Sequence, residues 1–447
     1  MIEYRNLRVA LLGAGSVGGE VARLLLEHGD ELASRVGARL ELVGIAVRDP
    51  QAVRAVALPP ELFTTDAESL ILGADIVIEL MGGIEPARSY VLQALTSGAD
   101  VVTGNKALLA THGPELFEAA AQVGAQLYYE AAVGGAIPII RPLRDSLAGD
   151  RVERILGIVN GTTNYVLDRM DVHGDTLEEA LARATELGYA EADPTGDVDG
   201  YDAAQKAAIL ASLAFHTSVP LSAVYREGIR GVTKAQVDAA REAGYVIKLL
   251  AICERLRAAD GTAGVSARVY PALIARDHPL AAVHGAHNAV FVQASAAGDL
   301  MFYGAGAGGI ETASAVLGDV VSAARRHVIG GPGVAESTHA DIPVLPVGEA
   351  RTRYQLTVRV PDRPGVLAEI ARILAEGGVS IETMQQKTIV DTEPPAGAPP
   401  RPAAAATLVI GTHEARESAL AATVAAVAES EAVQSIVSVL RVEGATN

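Results

Sequence analysis

The stretch EADPTGDVDGYDAAQK, residues 191–206, places five carboxylates in a loop and then closes on Lys206. Asp202 and Lys206 stand one helical turn apart and share a face. An ammonium held charged among carboxylates, at the edge of a cleft, can hand a proton to a substrate oxygen. The plainer reading is an ordinary i, i+4 ion pair at a solvated helix start. Placement argues for chemistry: the helix that follows, with Ile209, Leu210 and Leu213 in the stripe of Lys206, is apolar nearly all round. Such a helix is buried, so its first turn borders a cleft. The chain has five lysines, at 106, 206, 234, 248 and 387, and 31 of its 36 basic residues are arginine. A lysine can lose its proton where an arginine cannot, so a Lys kept inside a polar cluster points to proton transfer.

The elements that must position this cluster begin at residue 7. LRVALL (7–12) reads as a strand, GAGSVG (13–18) follows, and Val17, Val21, Leu24 and Leu25 then recur at helical spacing. G-x-G-x-x-G between a strand and a helix is the dinucleotide-binding context. Gly13 serves the tight turn, Gly15 the close approach of backbone to a pyrophosphate, and Gly18 the helix packing. Ser16 and Val17 open the helix whose free N–H groups face the phosphates. Strands at 39–47, 74–80, 99–104 and 125–130 alternate with helical segments, which predicts a parallel, doubly wound sheet. Ligands of such sheets lie beyond the carboxyl ends of the strands, which here collect Gly13–Gly18, Arg48, Met81–Gly83, Thr103–Lys106 and Glu130. Arg48 suits a ribose 2′-phosphate and favours NADP, while Asp49 beside it keeps NAD open.

Composition sets the outer bounds. A length of 447 residues with 49% hydrophobic content predicts two to three domains with substantial cores. The formal net charge of −18, with no basic segment, argues against a nucleic-acid partner and leaves room for a local basic pocket that takes one phosphate. Cys253 is the single cysteine, so no intramolecular disulfide and no Cys-based metal cluster can form, which suits the cytoplasm. It falls in YVIKLLAICERL, which reads as a helix. The first strand starts so near Met1 that no signal peptide fits before it. The longest uncharged run, 207–225, contains His216, Pro220 and several hydroxyls and reads as a core helix and a turn, not a membrane span. The histidines show no metal spacing, and HGAH (284–287) reads as loop residues.

After Ile137 and Pro138 the alternation stops. Residues 152–170 read as strand, polar turn and helix, followed by the amphipathic EEALARATELGYA. GAGSVG, TGNKALLA, YEAAVGGAIPII, GIVNGTTNYVL and above all LGYAEADPTGDVDGYDAAQK resemble homoserine dehydrogenase over about residues 7 to 340. The resemblance implies NAD(P)-dependent interconversion of L-homoserine and L-aspartate 4-semialdehyde, in threonine, methionine and isoleucine biosynthesis. It implies Lys206 as proton donor to the aldehyde oxygen, with Lys106 sharing that role and facing the cofactor. Glu191 and Asp202 would hold the amino acid's ammonium, with Asp197 a further acid near the substrate. Thr103, Gly188 and Gly308 would touch the cofactor. Glu130 with the carbonyls of Val133, Gly135 and Ile137 resembles the family's monovalent cation site, an oxygen set suited to a hard ion such as Na+. A homodimer or homotetramer, joined through the second domain, is the implied assembly.

A second G-x-G-x-x-G, Gly304 to Gly309, lacks strand–helix–strand surroundings and reads as a turn closing the same cofactor cleft. The helix after it returns to the first domain. The expected division is therefore 1–140 with about 310–340 for the nucleotide, 141–309 as an α+β substrate and dimerisation domain, a linker at 341–351, and a module at 352–447. That module reads βαββαβ, a ferredoxin-like order, with the Pro/Ala-rich EPPAGAPPRPAAA as a mobile link between two of its strands. With DRPGVL at its first turn it resembles an ACT domain, which implies an amino-acid effector, threonine being the natural candidate. Aspartate-semialdehyde dehydrogenase would need a thiol nucleophile, which Cys253 does not suit. A dihydrodipicolinate-reductase-like enzyme would lack the 191–206 constellation. A non-catalytic amino-acid sensor on a nucleotide-binding fold remains the competing reading.

Overall fold

In a computed structural model the structure describes residues 5–330, 338–388 and 405–444. The first domain runs β1 (Arg5–Leu12), α1 (Ser16–Glu27), α2 (Gly29–Val36), β2 (Ala38–Ala46), β3 (Phe63–Thr64) and α3 (Ala67–Leu72). It continues through β4 (Ile76–Glu79), α4 (Ala87–Thr96), β5 (Asp100–Thr103), α5 (Lys106–Val123) and β6 (Leu127–Tyr128). The six strands form one parallel sheet in the order β3-β2-β1-β4-β5-β6. β4 and β5 are buried along their whole length, because helices cover both faces. The strand order reverses between β1 and β4, which opens a crevice at their carboxyl ends.

The second domain holds β7 (Val152–Ile158), α6 (Gly161–His173), α7 (Leu177–Glu186), the single turn α8 (Thr195–Val198) and α9 (Tyr201–Phe215). It adds β8 (Tyr225–Arg226), α10 (Lys234–Glu242), β9 (Tyr245–Arg257), β10 (Ala263–Ala275), β11 (His287–Ala294) and β12 (Gly298–Ala305). One expectation is overturned here. YVIKLLAICERL is no helix: it is β9, paired antiparallel with β10 over all thirteen of its residues. A continuous apolar run lacks the alternation that marks a strand, and β9 has one because it is buried from Val246 to Cys253. Cys253 lies opposite Ala267, wholly buried, and burial pushes its thiol up to about 12.

α11 (Gly309–Ile329) carries the chain back to the first domain, where Ala313, Val316, Val320 and Ala323 join the core of Leu7, Leu11 and Val21. The third domain runs β13 (Arg351–Pro361), α12 (Val366–Glu376), β14 (Ile381–Thr388), β15 (Ala405–Thr412), β16 (Ala415–Arg416), α13 (Glu417–Glu429) and β17 (Ser435–Glu443). This is the expected βαββαβ order with a short extra strand, over a core built from Leu356, Val358, Ile370 and Leu408. EPPAGAPPRPAAA lies outside the described residues up to position 404, and its last alanine, Ala405, opens β15. Unforeseen is the junction: β17 pairs in parallel with β10, Ala272 to Arg441 and Ile274 to Glu443. One sheet therefore runs β12-β11-β7-β9-β10-β17-β13-β15-β14 through two domains. Beneath it Tyr270 Oη donates to Glu443 Oε1 at 2.6 Å and Arg268, 0% exposed, donates to Glu254 at 2.5 Å.

Asp319, 1% exposed on α11, accepts the Glu130 N–H at 2.7 Å and so ties the returning helix to the end of β6. Burial pushes its carboxyl up to about 7, against the pull of that N–H and of Arg141. A raised acid pKa means that the native state keeps a proton which the unfolded chain releases, so stability falls as pH rises through that interval. Asp319→Asn should therefore gain stability over the parent as pH rises from about 4 to about 7, at about 1.4 kcal/mol per pH unit, and level off above. Chemical denaturation of both proteins across that range measures it.

Candidate active site

The polar cluster forms where the first two domains meet. α9 starts at Gly200, whose φ of +77° belongs to the left-handed region. Its first turn presents Asp202 and its second Lys206, 8% exposed beneath an apolar helix. Lys206 Nζ donates to Asp202 Oδ2 at 2.8 Å and to the Val159 carbonyl at 2.6 Å. Lys106, the first residue of α5, comes from the carboxyl edge of the parallel sheet, and its Nζ lies 2.9 Å from Asp202 Oδ1. One carboxylate thus holds two ammonium groups from two domains. Burial pushes the Asp202 carboxyl upward, but the charges of Lys206 and Lys106, with hydrogen bonds from Lys206 and Asn160, hold it well below the usual carboxylate range. Asp202 in turn raises the pKa of Lys106 against the opposing pull of burial, with Asp197 and Glu191 adding to the rise.

Asp202, expected to hold a substrate's ammonium, therefore has its charge spent first on the two lysines. Glu191 is exposed, and Asp197 is half-buried one short turn before α9. Asn160 was missed in the sequence. Its Oδ1 accepts the Thr163 N–H at 2.8 Å and starts α6, while its Nδ2 donates to Asp197 Oδ1 at 2.7 Å and Asp202 Oδ2 at 2.9 Å. The N-G-T-T run is an N-terminal capping signal that could have marked it. Glu79 was missed as well: wholly buried, it accepts from Thr103 Oγ1 at 2.6 Å and from the N–H groups of Met81 and Gly82, which sets the loop ends beside Lys106.

The glycine turn meets the demands of a dinucleotide. Gly13 has φ +99°, and a Cβ there would lie 2.7 Å from the Leu80 carbonyl oxygen. A Cβ on Gly18 would lie 2.1 Å from the Gly13 oxygen, whereas at Gly15 the space is open. Ser16 and Val17 open α1, and no side chain caps that helix. Gly308 and Gly309 end the second glycine turn, with Gly309 packed against the Ser16 carbonyl, so the two turns flank one crevice. Arg48 is exposed beyond β2, while Asp49 accepts the Gln51 N–H at 2.9 Å. Gly188, exposed with φ +76°, follows α7.

The expected cation set needs a correction. Both Glu130 carboxylate oxygens are occupied: Oε1 by the N–H groups of Ile139 and Ile140, Oε2 by the N–H and Nε of Arg141, all at 2.6–3.0 Å. Only main-chain oxygens of Glu130, Val133, Gly135 and Ile137 remain for an ion. The positive φ of Gly134 and Gly135 turns that loop sharply. A cavity of about 1000 Å³ between α5 and α9 is lined by Leu109, Phe117, Ala204 and Ile209 and lies on another face of α9 from Asp202 and Lys206.

Comparison with known proteins agrees with this architecture. Residues 13–130 match the family model of the homoserine dehydrogenase NAD-binding domain, 138–321 that of homoserine dehydrogenase, and 354–429 that of the ACT domain. The homoserine dehydrogenase of Corynebacterium glutamicum is 52% identical over 437 residues, 97% of this chain and 95% of that one. That of Mycobacterium tuberculosis is 53% identical over 444 residues, 99% of each. The crystal structure of a homoserine dehydrogenase from Thiobacillus denitrificans superposes with a TM-score of 0.89 at 40% identity, covering 98% of this chain and 99% of that one. A hyperthermophilic archaeal homoserine dehydrogenase in complex with NADPH covers 74% of this chain and 99% of its own, at TM-score 0.60 and 26% identity.

The charge balance at Asp202 has a measurable signature. A raised pKa keeps Lys106 protonated and slow toward acylating reagents. Asp202→Asn removes the largest cause of that rise, so trace acetylation of Lys106 at neutral pH should speed up about tenfold for each unit of pKa lost, read by peptide mass spectrometry. An unchanged rate would refute the assignment of the charge balance.

Proposed function

The chain belongs to the homoserine dehydrogenase family, an oxidoreductase acting on a CH–OH group with a nicotinamide cofactor, and on that footing we propose the residues that carry the reaction. The substrate pair is L-homoserine and L-aspartate 4-semialdehyde. The nicotinamide, when bound, supplies or accepts the hydride at the carbon bearing the oxygen. What the chain adds is a proton and a fixed geometry. Lys206 Nζ has three N–H groups, and two are committed to Asp202 and Val159, which aims the third. In the direction of reduction that N–H gives its proton to the carbonyl oxygen as the hydride arrives, and the product is the alcohol. In oxidation the neutral amine takes the hydroxyl proton back.

The observation that carries this reading is the shared carboxylate: Lys106, from the edge where the dinucleotide crevice opens, and Lys206 meet on Asp202. Lys106 keeps positive charge beside the developing alkoxide and assists the transfer. Glu191 and Asp197 take the substrate's ammonium group, with Asp202 contributing its remaining field. Gly13, Gly15, Ser16, Val17 and Gly18 receive the pyrophosphate, with Thr103, Gly188 and Gly308 at its borders, and Arg48 receives the 2′-phosphate of NADP. The main-chain oxygens of Glu130, Val133, Gly135 and Ile137 are the seat for Na+, with a structural role. A homodimer or homotetramer built on the second domain, a cytoplasmic setting and a threonine-type effector at the ACT domain complete the proposal. Among the described residues no helix is long and apolar enough to cross a membrane.

The test is absorbance at the nicotinamide band with homoserine and each cofactor. Lys206→Met should lower kcat by about 10²–10⁴-fold, the scale of a positioned acid–base group, with the KM for NADP little changed. Retained turnover would remove Lys206 from the mechanism. Arg48→Ala should raise the KM for NADP by about tenfold or more and leave that for NAD alone, the signature of a lost charge-assisted phosphate contact.

A further inference from the structure

The substrate loop is not held by its own domain core alone. Arg230 Nε donates to Asp199 Oδ1 at 2.5 Å and its Nη2 to Thr195 Oγ1 at 3.1 Å. Arg226 donates to the Asp199 carbonyl and lies over the Tyr201 ring at 3.5 Å. Between them Ile229 N donates to the Val198 carbonyl at 2.7 Å, and a Cβ on Gly228 would come within 2.2 Å of that same oxygen. Residues 226–230 thus grip residues 195–201 from outside, directly before Asp202. The other side of the grip faces the third domain. Glu227 takes a bidentate pair from Arg441 of β17, at 2.9 and 3.0 Å. Arg441 also holds Glu417 at 2.7 Å and stacks its guanidinium over Tyr270 at 4.3 Å, and Glu417 accepts from Tyr354 Oη at 2.7 Å. Bidentate guanidinium–carboxylate geometry fixes orientation as well as distance.

We propose that Arg226 and Arg230 are positioning residues for the substrate loop, and that the Glu227–Arg441 pair fastens them to the last strand of the ACT domain, so that the regulatory domain sets the affinity of the site for homoserine. This rests on the reading of residues 191–206 as the substrate loop. A shift of β17 against β10 moves Arg441, Glu227 follows, and the loop bearing Asp197 loses its outer support. The cofactor side, built on the first sheet, has no part in this chain of contacts.

The experiment is steady-state kinetics of the full chain as Glu227→Gln, Arg441→Met and the double variant, with Arg372→Gln on the exposed face of α12 as control. Each single change should raise the KM for homoserine about fivefold to tenfold, the net scale of one lost hydrogen bond, while kcat and the cofactor KM stay within about twofold. The double variant should be no worse than the more affected single one, since both cut the same tie. An unchanged homoserine KM, or equal rises in both KM values, would overturn the proposal. Should Arg441→Met fail to fold, Arg230→Gln, half exposed and hydrogen-bonded to Asp199 and Thr195 of the loop, must still raise the homoserine KM, and no rise would count against the grip. If the parent itself never turns over homoserine, the substrate reading fails. Amide hydrogen exchange at 197–200 then still decides the tie: faster exchange in Arg441→Met supports it, and unchanged exchange overturns it.

Discussion

The sharing of one carboxylate between two lysines governs the arrangement of everything around it. Two like charges about 4 Å apart repel by about 4 kcal/mol at an effective dielectric near 20. Lys106 and Lys206 could not be brought to one point without Asp202 between them. Lys106 belongs to the parallel sheet, whereas Asp202 and Lys206 belong to α9. The anion therefore serves as electrostatic mortar between domains and, in the proposed reaction, as the guide for a proton. Asn160 supports both, since it starts α6 and steadies two acids with one amide.

Much of this was legible in the chain because strong local signals coincide with function. A glycine turn between an apolar strand and an amphipathic helix has one favoured geometry, and Gly13 and Gly18 show why no larger residue would serve. The D-x-x-x-K spacing at 202 and 206 put both groups on one face before any tertiary contact was known. What stayed hidden depends on long-range partners. Nothing near Cys253 distinguishes a buried central strand from a buried helix, because both are apolar throughout. The carboxylate of Glu130 looked available for an ion, and only folding reveals that four N–H donors nine to eleven residues ahead claim it. Glu79 gives no sign from its neighbours that it organises two loop ends.

The third domain was recognisable from its own order of elements, yet its attachment was not. A linker suggested an independent module, whereas β17 continues the second domain's sheet across Ala272–Ile274. Buried charge accompanies the seam: Arg268, Glu254, Arg154 and Glu443 are paired across it, and removing one partner would leave its neighbours charged and dry. Such a seam favours a single register over many, at a cost in desolvation.

That seam has a bearing on how the first two domains could be freed from the third. A bead on a string can be cut away, but here truncation after residue 350 would bare the open flank of β10, and exposed strand flanks invite adhesion between molecules. Loosening the third domain's hold calls for exchanging single side chains while its last strand stays in place as a splint.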